Sequence, residues 1–497
     1  MSTEHSTGVS FPGGPDGSRS TSATGRAVVA GALRRTDPVG AAGCERETNW
    51  RTGYLVHFRR LVEAGLASRQ AALQIAGDGL TALHEQMAVV GPDGAERPLS
   101  QAFVAAAPAA ADAGYDTATV TGTAEPDRTF SLPFRGERLT GDALRRRLDE
   151  WVRTGALEAS CATAVQAVAD DPEGLDLAGL QVAVLGAGAE MGPLQSLLRW
   201  GADVVAVDLP RPELWKRLLS TARQGAGRMH LPVPRGTGEV GDDALAAVAG
   251  ADLLHQLGPL AAWLEQVPDR LVLGNYVYAD GATNVRVSAA VDALTRHLLA
   301  RRDDLALAFL ATPTDVFAVP GEAVAHSGAA YGDRTRISKL LGRPLRTVSG
   351  GRLLRRHYVD GVEPGIDDSL VPQQGPNYAL AKRLQRWRAT TARDAGTTVS
   401  FHVAPPTRTH SVLKNRALAA AYAGAHRFGV QVFEPATSNT LMAALLVSDL
   451  RNGTPVAAHP WQEEAYAAAH GGLWTTAYQP RSALGLAAVL GLGGARR

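Results

Sequence analysis

Residues 182–208 read VAVLGAGAEMGPLQSLLRWGADVVAVD. The first four form an apolar run rich in β-branched residues, which is typical of a buried parallel strand. Gly186, Gly188 and Gly192 follow, then a helix-like segment over 194–200 and a second apolar run that ends at Asp208. Strand, glycine turn, helix, strand and acid in this order, within about thirty residues, predict a βαβ unit that binds a nucleotide.

Each glycine of this stretch has a physical role in the prediction. Gly186 allows the tight turn after the strand, Gly188 a close approach of the backbone to a pyrophosphate, and Gly192 close packing of the helix on the sheet. The helix N-terminus would offer N–H groups and the positive end of its dipole to phosphate. Asp208 would accept hydrogen bonds from ribose hydroxyls. The spacing GxGxxxG is one residue longer than GxGxxG, and a βαβ unit without a ligand remains the alternative.

The stretch resembles the Rossmann domains of NAD(P)-dependent oxidoreductases. The resemblance implies that Gly186, Gly188 and Gly192 hold the pyrophosphate and that Asp208 holds the adenosine ribose. It favours NAD, since the Asp208 carboxylate would repel a 2′-phosphate, although Arg211 leaves NADP possible. The stretch is also similar to the glycine loop of class I S-adenosylmethionine-dependent methyltransferases, which more often have glycine where Glu190 stands.

Beyond this stretch, strand-like and helix-like segments alternate. The pattern predicts an α/β fold with a doubly wound parallel Rossmann-like sheet and an N-terminal mainly helical domain. Further strands are expected at 251–257, 270–276, 305–310 and 397–403.

Five segments are expected along the chain. Residues 1–45 are rich in Ser, Thr, Gly, Ala and Pro, a composition that predicts a disordered tail. The other four are a mainly helical domain over 46–175, a Rossmann-like nucleotide-binding core over 176–319, an insertion or lid over 320–370, and the C-terminal part of the α/β core over 371–497.

The segment GPNYALAKRLQRWRA, residues 375–389, holds a candidate catalytic pair. Tyr378 and Lys382 lie one helical turn apart, so their side chains share a face. A nearby ammonium favours tyrosinate and lowers the tyrosine pKa, which makes the tyrosine a usable acid or base. A surface helix with a partly buried tyrosine is the alternative.

This pair resembles the YxxxK motif of short-chain dehydrogenases/reductases. The strand expected at 397–403 and the following Pro405, Pro406 and Thr407 resemble the strand and proline loop that lie beside the nicotinamide in that family. The resemblance implies that Tyr378 transfers a proton and that Lys382 holds the nicotinamide ribose.

Several polar residues lie at predicted strand ends, where loops carry function. Four of them are candidates for contact with substrate or cofactor: Asn275, Tyr276, Asp280 and Asp315. Two histidines that flank the proline loop, His402 and His410, are further candidates for contact with substrate. His255 is more simply a buried histidine with a satisfied side chain.

Composition narrows the function classes. The net charge of +1 gives no overall field that favours nucleic acid, and two cysteines form no disulfide framework. The chain has neither a CxxC nor an HExxH spacing, so no metal site is predicted, and no apolar run reaches the length of a membrane span. A cytoplasmic protein that acts on a small molecule is expected, with its oligomeric state left open.

The leading hypothesis is a nicotinamide-dependent oxidoreductase that moves a hydride between NAD(P) and a carbonyl or alcohol. An S-adenosylmethionine-dependent methyltransferase with a Rossmann-like fold is the first alternative. A non-catalytic nucleotide-binding module is the second.

Overall fold

The computed structural model describes residues 7–103, 114–171, 173–334 and 344–492 of the chain. The fold is mixed α/β and is built around a seven-stranded, mostly parallel sheet. The strands are β1 (Gly8–Ser10), β2 (Ala88–Val90), β3 (Glu96–Pro98), β4 (Tyr115–Thr121), β5 (Leu132–Phe134), β6 (Glu137–Leu139), β7 (Leu180–Leu185), β8 (Asp203–Val207), β9 (Arg228–Pro234), β10 (Arg270–Asn275), β11 (Ala306–Ala311), β12 (Val316–Val319), β13 (Gly365–Asp368) and β14 (Val399–Val403).

The α-helices span Thr21–Leu33, Pro38–Glu45, Trp50–Gly65, Arg69–Gln86, Gly141–Arg153, Ala159–Asp170, Leu194–Arg199, Pro212–Gln224, Asp242–Val248, Leu257–Glu265, Ala282–Leu299, Gly321–Gly332, Pro376–Asp394, His410–Lys414, Arg416–Gly424, Pro435–Asn452, Pro460–Ala465 and Pro480–Gly491. Short 3₁₀ helices cover Leu99–Gln101 and Ala425–Phe428. Within the described ranges, no helix is both long enough and apolar enough to cross a membrane.

The central sheet has the order β14-β11-β10-β7-β8-β9-β4. Neighbouring strands are parallel from β14 to β9, and β4 closes one edge antiparallel to β9. The carboxyl ends of six strands therefore meet at one edge of the sheet, with the β7 and β8 ends beside each other and β10 on the other side of β7.

Both faces of the sheet are buried. Side chains alternate across a strand, so Ala183 and Leu185 enter one hydrophobic core while Val182 and Val184 enter the other. Helices supply apolar side chains to each core, which explains why the parallel strands are apolar on both sides.

The amino-terminal segment is ordered, so the prediction of a disordered tail is wrong for residues 7–45. Helix Thr21–Leu33 begins at the cap Ser20, whose side chain accepts a hydrogen bond from the Ala23 N–H. Val28, Val29 and Leu33 are fully buried against the first core. Alanine and glycine let this helix pack closely on its neighbours, a tertiary effect that the composition of the segment does not indicate. Residues 1–6 lie outside the described part of the chain.

The helices expected over 46–175 contribute to both faces of the sheet. Helices Trp50–Gly65 and Arg69–Gln86 add Tyr54, Phe58 and Leu83 to the first core. Helices Gly141–Arg153 and Ala159–Asp170 pack in the second core, and β4 is part of the central sheet. The segment is thus mainly helical, but its elements are shared with the core that follows.

One predicted strand is absent from the structure, and one strand of the structure was not predicted. Residues 251–256 form a turn and loop, and helix Leu257–Glu265 follows, so the strand expected at 251–257 is wrong. The third parallel strand is instead β9, whose Pro232 and Pro234 argue against a strand from sequence alone. β9 pairs with β8 only over Arg228 to His230, so both prolines lie beyond that ladder.

Residues 320–370 follow β12 and include helix Gly321–Gly332. β12 and β13 form a separate antiparallel two-stranded sheet, apart from the central one. The segment therefore separates β11 from helix Pro376–Asp394 and β14 along the chain. Its role as a lid stays a prediction, and residues 335–343, which include Arg336 and Lys339, lie outside the described residues.

Candidate functional site

A large cavity lies at the carboxyl edge of the central sheet. Its volume is about 1580 Å³, and residues that follow β7, β8, β10, β11 and β14 line it. Gly186, Gly188, Asp208, Tyr378 and Lys382 all lie on its wall. The structure thus brings together the glycine turn, its acid and the candidate catalytic pair, although about 190 residues separate Gly188 from Tyr378 along the chain.

The glycine turn is held firmly against β8. Gly186 has φ of +82°, a left-handed conformation that other residues adopt only with strain. Its N–H and that of Ala187 donate to the carbonyl of Val207, at 2.8 and 3.1 Å. A Cβ at position 186 would also lie 3.1 Å from the backbone of Tyr276. Glycine is therefore needed here both for the turn and for the approach of β10.

Asp208 is joined directly to the glycine turn. The Gly188 N–H donates to Asp208 Oδ2 at 2.8 Å, and the Leu209 N–H donates to Oδ1 at 2.8 Å. Burial raises the pKa of Asp208, and these two N–H donors oppose that rise. Each carboxylate oxygen keeps a further lone pair, so the fixed carboxylate can still accept hydroxyl donors from a ligand.

The helix after the glycine turn lies where it is predicted, but its N-terminus offers less to an anion than expected. It covers only Leu194–Arg199, and the residue before it, Pro193, has no N–H to offer. The Gly192 N–H donates to the Ala189 carbonyl at 2.9 Å, inside the loop. An anion at this end of the cavity would therefore meet the backbone of the loop at 186–193 rather than a long helix N-terminus.

Glu190 connects the glycine turn to the loop after β14. Its two carboxylate oxygens accept hydrogen bonds from the backbone N–H and the Nδ1 of His410, at 2.8 and 2.7 Å. The backbone carbonyl of Glu190 also accepts from Asn439 Nδ2 at 3.3 Å. The residue that departs from the methyltransferase glycine pattern thus has a structural partner on the opposite wall of the cavity.

The carboxyl end of β10 contributes Asn275 and the residues after it. Asn275 is buried, and its Oδ1 accepts from Gln385 Nε2 at 3.4 Å. Tyr276 is also largely buried, and burial raises its pKa. Asp280 accepts a hydrogen bond from the exposed Tyr278 hydroxyl at 2.9 Å. The cavity lining at this strand end runs from Asn275 to Gly281, and Asn275 is more enclosed than Tyr276 or Tyr278.

Tyr378 faces the cavity from the first turn of helix Pro376–Asp394. Burial raises the pKa of its hydroxyl, and a hydrogen bond with the Thr312 side chain partly offsets that rise. The expected lowering of the tyrosine pKa by Lys382 is therefore wrong, because Lys382 is hydrogen-bonded elsewhere. At neutral pH the Tyr378 hydroxyl keeps its proton and can act as a donor.

Lys382 lies one turn further along the same helix. Its Nζ donates to the Leu310 carbonyl and to Gln385 Oε1, both at 3.2 Å. Burial lowers its pKa to about 8, and none of the carboxylates in the described residues forms an ion pair with it. Through the buried Gln385, the ammonium is linked to Asn275, which also lines the cavity. Lys382 can therefore exchange a proton near neutral pH.

Three of the weaker candidates lie away from the cavity wall. Asp315 is 1% exposed and binds Arg383 and Arg386, and His402 is 1% exposed and binds Asp449 at 2.6 Å. Both are parts of buried polar networks and not substrate contacts. His255 has an exposed side chain paired with Asp252 at 2.9 Å, so the prediction of a buried histidine is wrong.

The structure adds three residues that the sequence did not indicate. Thr312 is the partner of Tyr378, Gln385 joins Lys382 to Asn275, and Tyr422 lies near Tyr378 on the cavity wall. Gln385 could have been found, since it follows Lys382 by three positions on the same helix. Thr312 and Tyr422 reach the site through tertiary contacts alone.

Neither cysteine offers a reactive group. Cys44 and Cys161 are both buried and unpaired, and burial raises both thiol pKa values, that of Cys44 to about 12. In the described ranges, no cluster of three or more His, Cys, Asp or Glu side chains could hold a metal ion.

Comparisons of the chain with protein-family models, with curated proteins and with solved structures found no match.

Proposed function

We propose that the protein is a nicotinamide-dependent oxidoreductase that moves a hydride between NAD(P) and a carbonyl or alcohol substrate. The observation that carries the proposal is that one cavity joins the Gly186–Gly188 turn and Asp208 to Tyr378 and Lys382. β8 and β11 are three strand spacings apart, so their ends are separated by roughly 14 Å. Asp208 follows β8, and Lys382 contacts the Leu310 carbonyl at the end of β11. A dinucleotide extended along the sheet edge would therefore place its adenosine half at Asp208 and its nicotinamide half at Tyr378 and Lys382.

A doubly wound Rossmann-like arrangement is part of the proposal. Taken in chain order, the six parallel strands β7, β8, β9, β10, β11 and β14 occupy the sheet as 3-2-1-4-5-6. In such sheets a ligand binds where the strand order reverses, which here is between β7 and β10. Gly186 and Asn275 stand at that crevice, on the cavity wall.

The residues at the proposed nucleotide end fit the ligand. Glycine at position 188 lets Leu214 and Asp208 lie close to the loop, since a Cβ there would lie 2.5 Å from Leu214 Cδ1 and 3.3 Å from Asp208 Oδ2. Asp208 would accept the ribose hydroxyls while the Gly188 N–H holds it in place. Its negative charge favours NAD, and the adjacent Arg211, also on the cavity wall, leaves NADP possible.

At the other end, the bound nicotinamide would supply or accept the hydride. Tyr378, protonated at neutral pH, would donate its proton to the carbonyl oxygen as the carbonyl carbon gains the hydride. The Thr312 side chain lies close enough to the Tyr378 hydroxyl to favour its ionised form, which lowers the tyrosine pKa slightly against the effect of burial. Lys382, whose pKa is about 8, would return a proton to the tyrosinate and regain one from solvent.

The proposal is tested by titrating the protein with NADH, NADPH and S-adenosylmethionine while thermal unfolding is followed. A ligand that binds the folded state at 100 times its Kd stabilises by about 2.7 kcal/mol. We expect stabilisation by NADH, weaker stabilisation by NADPH and none by S-adenosylmethionine. Stabilisation by S-adenosylmethionine alone would favour the methyltransferase, and no shift with any of the three would overturn both enzymes.

Asp208→Asn sharpens that experiment. The substitution removes the charge that the ribose hydroxyls would meet, so NADH affinity should fall about 10-fold to 100-fold. Asp203→Asn is the matched control, because Asp203 lies at the opposite end of the same strand and pairs with Arg228. Equal NADH affinity in the two variants would remove Asp208 from the nucleotide site.

A further inference from the structure

The cavity extends beyond Tyr378 into a second region with a different character. This region, the apolar arm, is formed by the side chains of Leu418, Tyr422, Phe428, Val430, Leu473 and Leu484. The cavity-lining residues between 418 and 432 and between 473 and 487 include no Asp, Glu, Lys, Arg or His among those described. The arm is therefore an uncharged, mainly apolar extension of a cavity whose charged lining residues lie in its other parts.

The apolar arm opens directly at the proposed reaction centre. Tyr422 is close enough to Tyr378 for the two hydroxyls to influence each other electrostatically. The Phe433 N–H donates to the Pro406 carbonyl and the Gln431 N–H to the Gly471 carbonyl, both at 2.8 Å. The chain that follows Val430 therefore runs beside the proline loop after β14. Tyr378 and the arm residues line one cavity, so a ligand that contacts Tyr378 can extend into the arm.

The wall of the arm is preformed. Helices Arg416–Gly424 and Pro480–Gly491 touch so closely that a Cβ at Gly424 would lie 2.0 Å from the Ala487 carbonyl oxygen. The second of these helices is also fixed at its start. The carbonyl and the hydroxyl of Ser482 accept hydrogen bonds from the N–H groups of Leu354 and Arg355, at 3.2 and 3.0 Å. The arm is thus a fixed part of the fold and binds without a large ordering cost.

The size and chemistry of the cavity point to a second ligand in the arm. Small-molecule pockets usually measure about 300–1,000 Å³, and this cavity, at about 1580 Å³, exceeds that range. Phosphates and riboses would lose hydrogen bonds to water in an arm without charged groups and would replace few of them. An apolar group gains there, because each buried methylene contributes favourable transfer free energy.

We infer that the substrate of the proposed oxidoreductase is a carbonyl or alcohol compound with an extended, uncharged apolar group, such as an alkyl chain, which lies in the apolar arm. The inference rests on the proposed function for the reacting end of that substrate. The arm selects the apolar group, while Tyr378 and the nucleotide end contact the reacting carbon and oxygen.

The test uses straight-chain primary alcohols from 1-butanol to 1-decanol as probes. Their binding to the full chain is measured by calorimetry in the absence and presence of NAD, and their NAD-dependent oxidation is measured in parallel. We expect affinity to rise roughly fourfold per methylene until the arm is filled.

Leu484→Arg places a charge in the arm and should abolish that dependence on chain length. Leu490→Arg is the matched control, since Leu490 lies on the same helix but is 51% exposed. Leu484→Trp fills the arm without a charge and should shorten the longest alcohol that binds. NADH-induced thermal stabilisation should be equal in all variants, which shows that each has folded and kept its nucleotide end.

The outcomes separate the two proposals. NADH binding without any chain-length dependence, or with the same dependence in Leu484→Arg, would overturn the apolar substrate and leave the oxidoreductase standing. If alcohols bind in the arm but neither NADH nor NADPH binds, the oxidoreductase proposal is overturned. The assignment of the arm to the substrate of that enzyme is then overturned as well. Chain-length dependence in affinity and in oxidation, lost together in Leu484→Arg, would support both.

Discussion

Neighbouring buried cations of helix Pro376–Asp394 differ in how they are compensated, according to whether they contact the core or the cavity. On the core side, Arg383 and Arg386 bind Asp315 at 2.8 and 2.7 Å, and Arg386 also binds Glu464 at 2.8 and 2.7 Å. On the cavity side, Lys382 has only a carbonyl and an amide oxygen as partners. Lys382 and Arg383 are adjacent in sequence, but a carboxylate compensates the charge of Arg383 and none compensates that of Lys382.

The difference shows which cation is structural. Burial opposes the ionisation of Asp315, but Arg383 and Arg386 outweigh it and lower the pKa of Asp315. Lys382 has no such compensation, and burial alone lowers its pKa to about 8. A charge left uncompensated in a cavity is what a site for proton transfer needs, whereas paired charges in a core fix the position of a helix.

The largest effect is expected from the core side, with Asp315→Asn. The substitution leaves Arg383 buried without its acid and Arg386 with only Glu464, so the free energy of unfolding should fall by about 3–5 kcal/mol. Denaturant unfolding measures it. Asp242→Asn, in an exposed pair with Arg223, should lose under about 1 kcal/mol. Equal losses in the two variants would mean that the buried network does not stabilise the fold.

On the cavity side, Tyr378→Phe should lower turnover of a true substrate by about 10²-fold to 10⁴-fold, because the proton donor is lost. The ring and its packing remain, so thermal stability and NADH affinity should change little. Tyr278→Phe is the control: its ring lies 6.3 Å from that of Tyr378, but its hydroxyl binds Asp280. Unchanged turnover in Tyr378→Phe would remove Tyr378 from the mechanism.

Lys382→Met should separate activity from stability. Below pH 8 both the folded and the unfolded chain carry the Lys382 proton, so the cost of burying the charge is fully present. Between pH 8 and the ordinary value of 10.5, the unfolded chain binds more protons, and this cost declines as pH rises.

Lys382→Met should therefore raise the free energy of unfolding at pH 7 by roughly 1–3 kcal/mol, with a smaller gain at pH 10. Turnover should fall at both pH values. Lys216→Met, at an exposed lysine paired with Glu213, should show neither the gain nor its pH dependence. A loss of stability at pH 7 in Lys382→Met would show that the ammonium is compensated after all.

The smallest effect is expected for Glu190→Gln, at the bridge between the glycine turn and His410. The side chain of His410 is 85% exposed, so the ion pair should contribute under about 1 kcal/mol to unfolding. Thermal unfolding with and without NADH measures the loss of stability and any change in the stabilisation by NADH. A loss above 2 kcal/mol would place this bridge with the core networks and not with exposed pairs.

The sequence predicted the parts of the site that are set by local pattern. The glycine turn, Asp208 and the strands near 270, 306 and 399 follow from apolar runs and glycine spacing, and the structure has them. Tyr378 and Lys382 were paired by helical periodicity, and both line the cavity.

What the sequence missed is set by distant contacts. The pKa of Tyr378 depends on Thr312 and on burial, and the Glu190–His410 bridge joins residues 220 positions apart. β9 was missed because its prolines argue against a strand, and helix Thr21–Leu33 because packing rather than composition makes it stable. No local pattern contains these tertiary effects.

The packing of the amino-terminal helices has a consequence for how the chain folds during synthesis. The ring of Trp387 packs directly on Gly79, where a Cβ would lie 2.4 Å from Trp387 Cζ3, and the surface that helix Arg69–Gln86 covers includes helix Pro376–Asp394. The ribosome adds about 300 residues after Gly79 before it reaches Trp387, which takes roughly 15–60 s at 5–20 residues per second. Throughout that interval the apolar face of the early helices lacks one of its permanent partners. Until the carboxyl-terminal third emerges, this apolar surface is exposed to the aggregation that threatens incompletely folded chains.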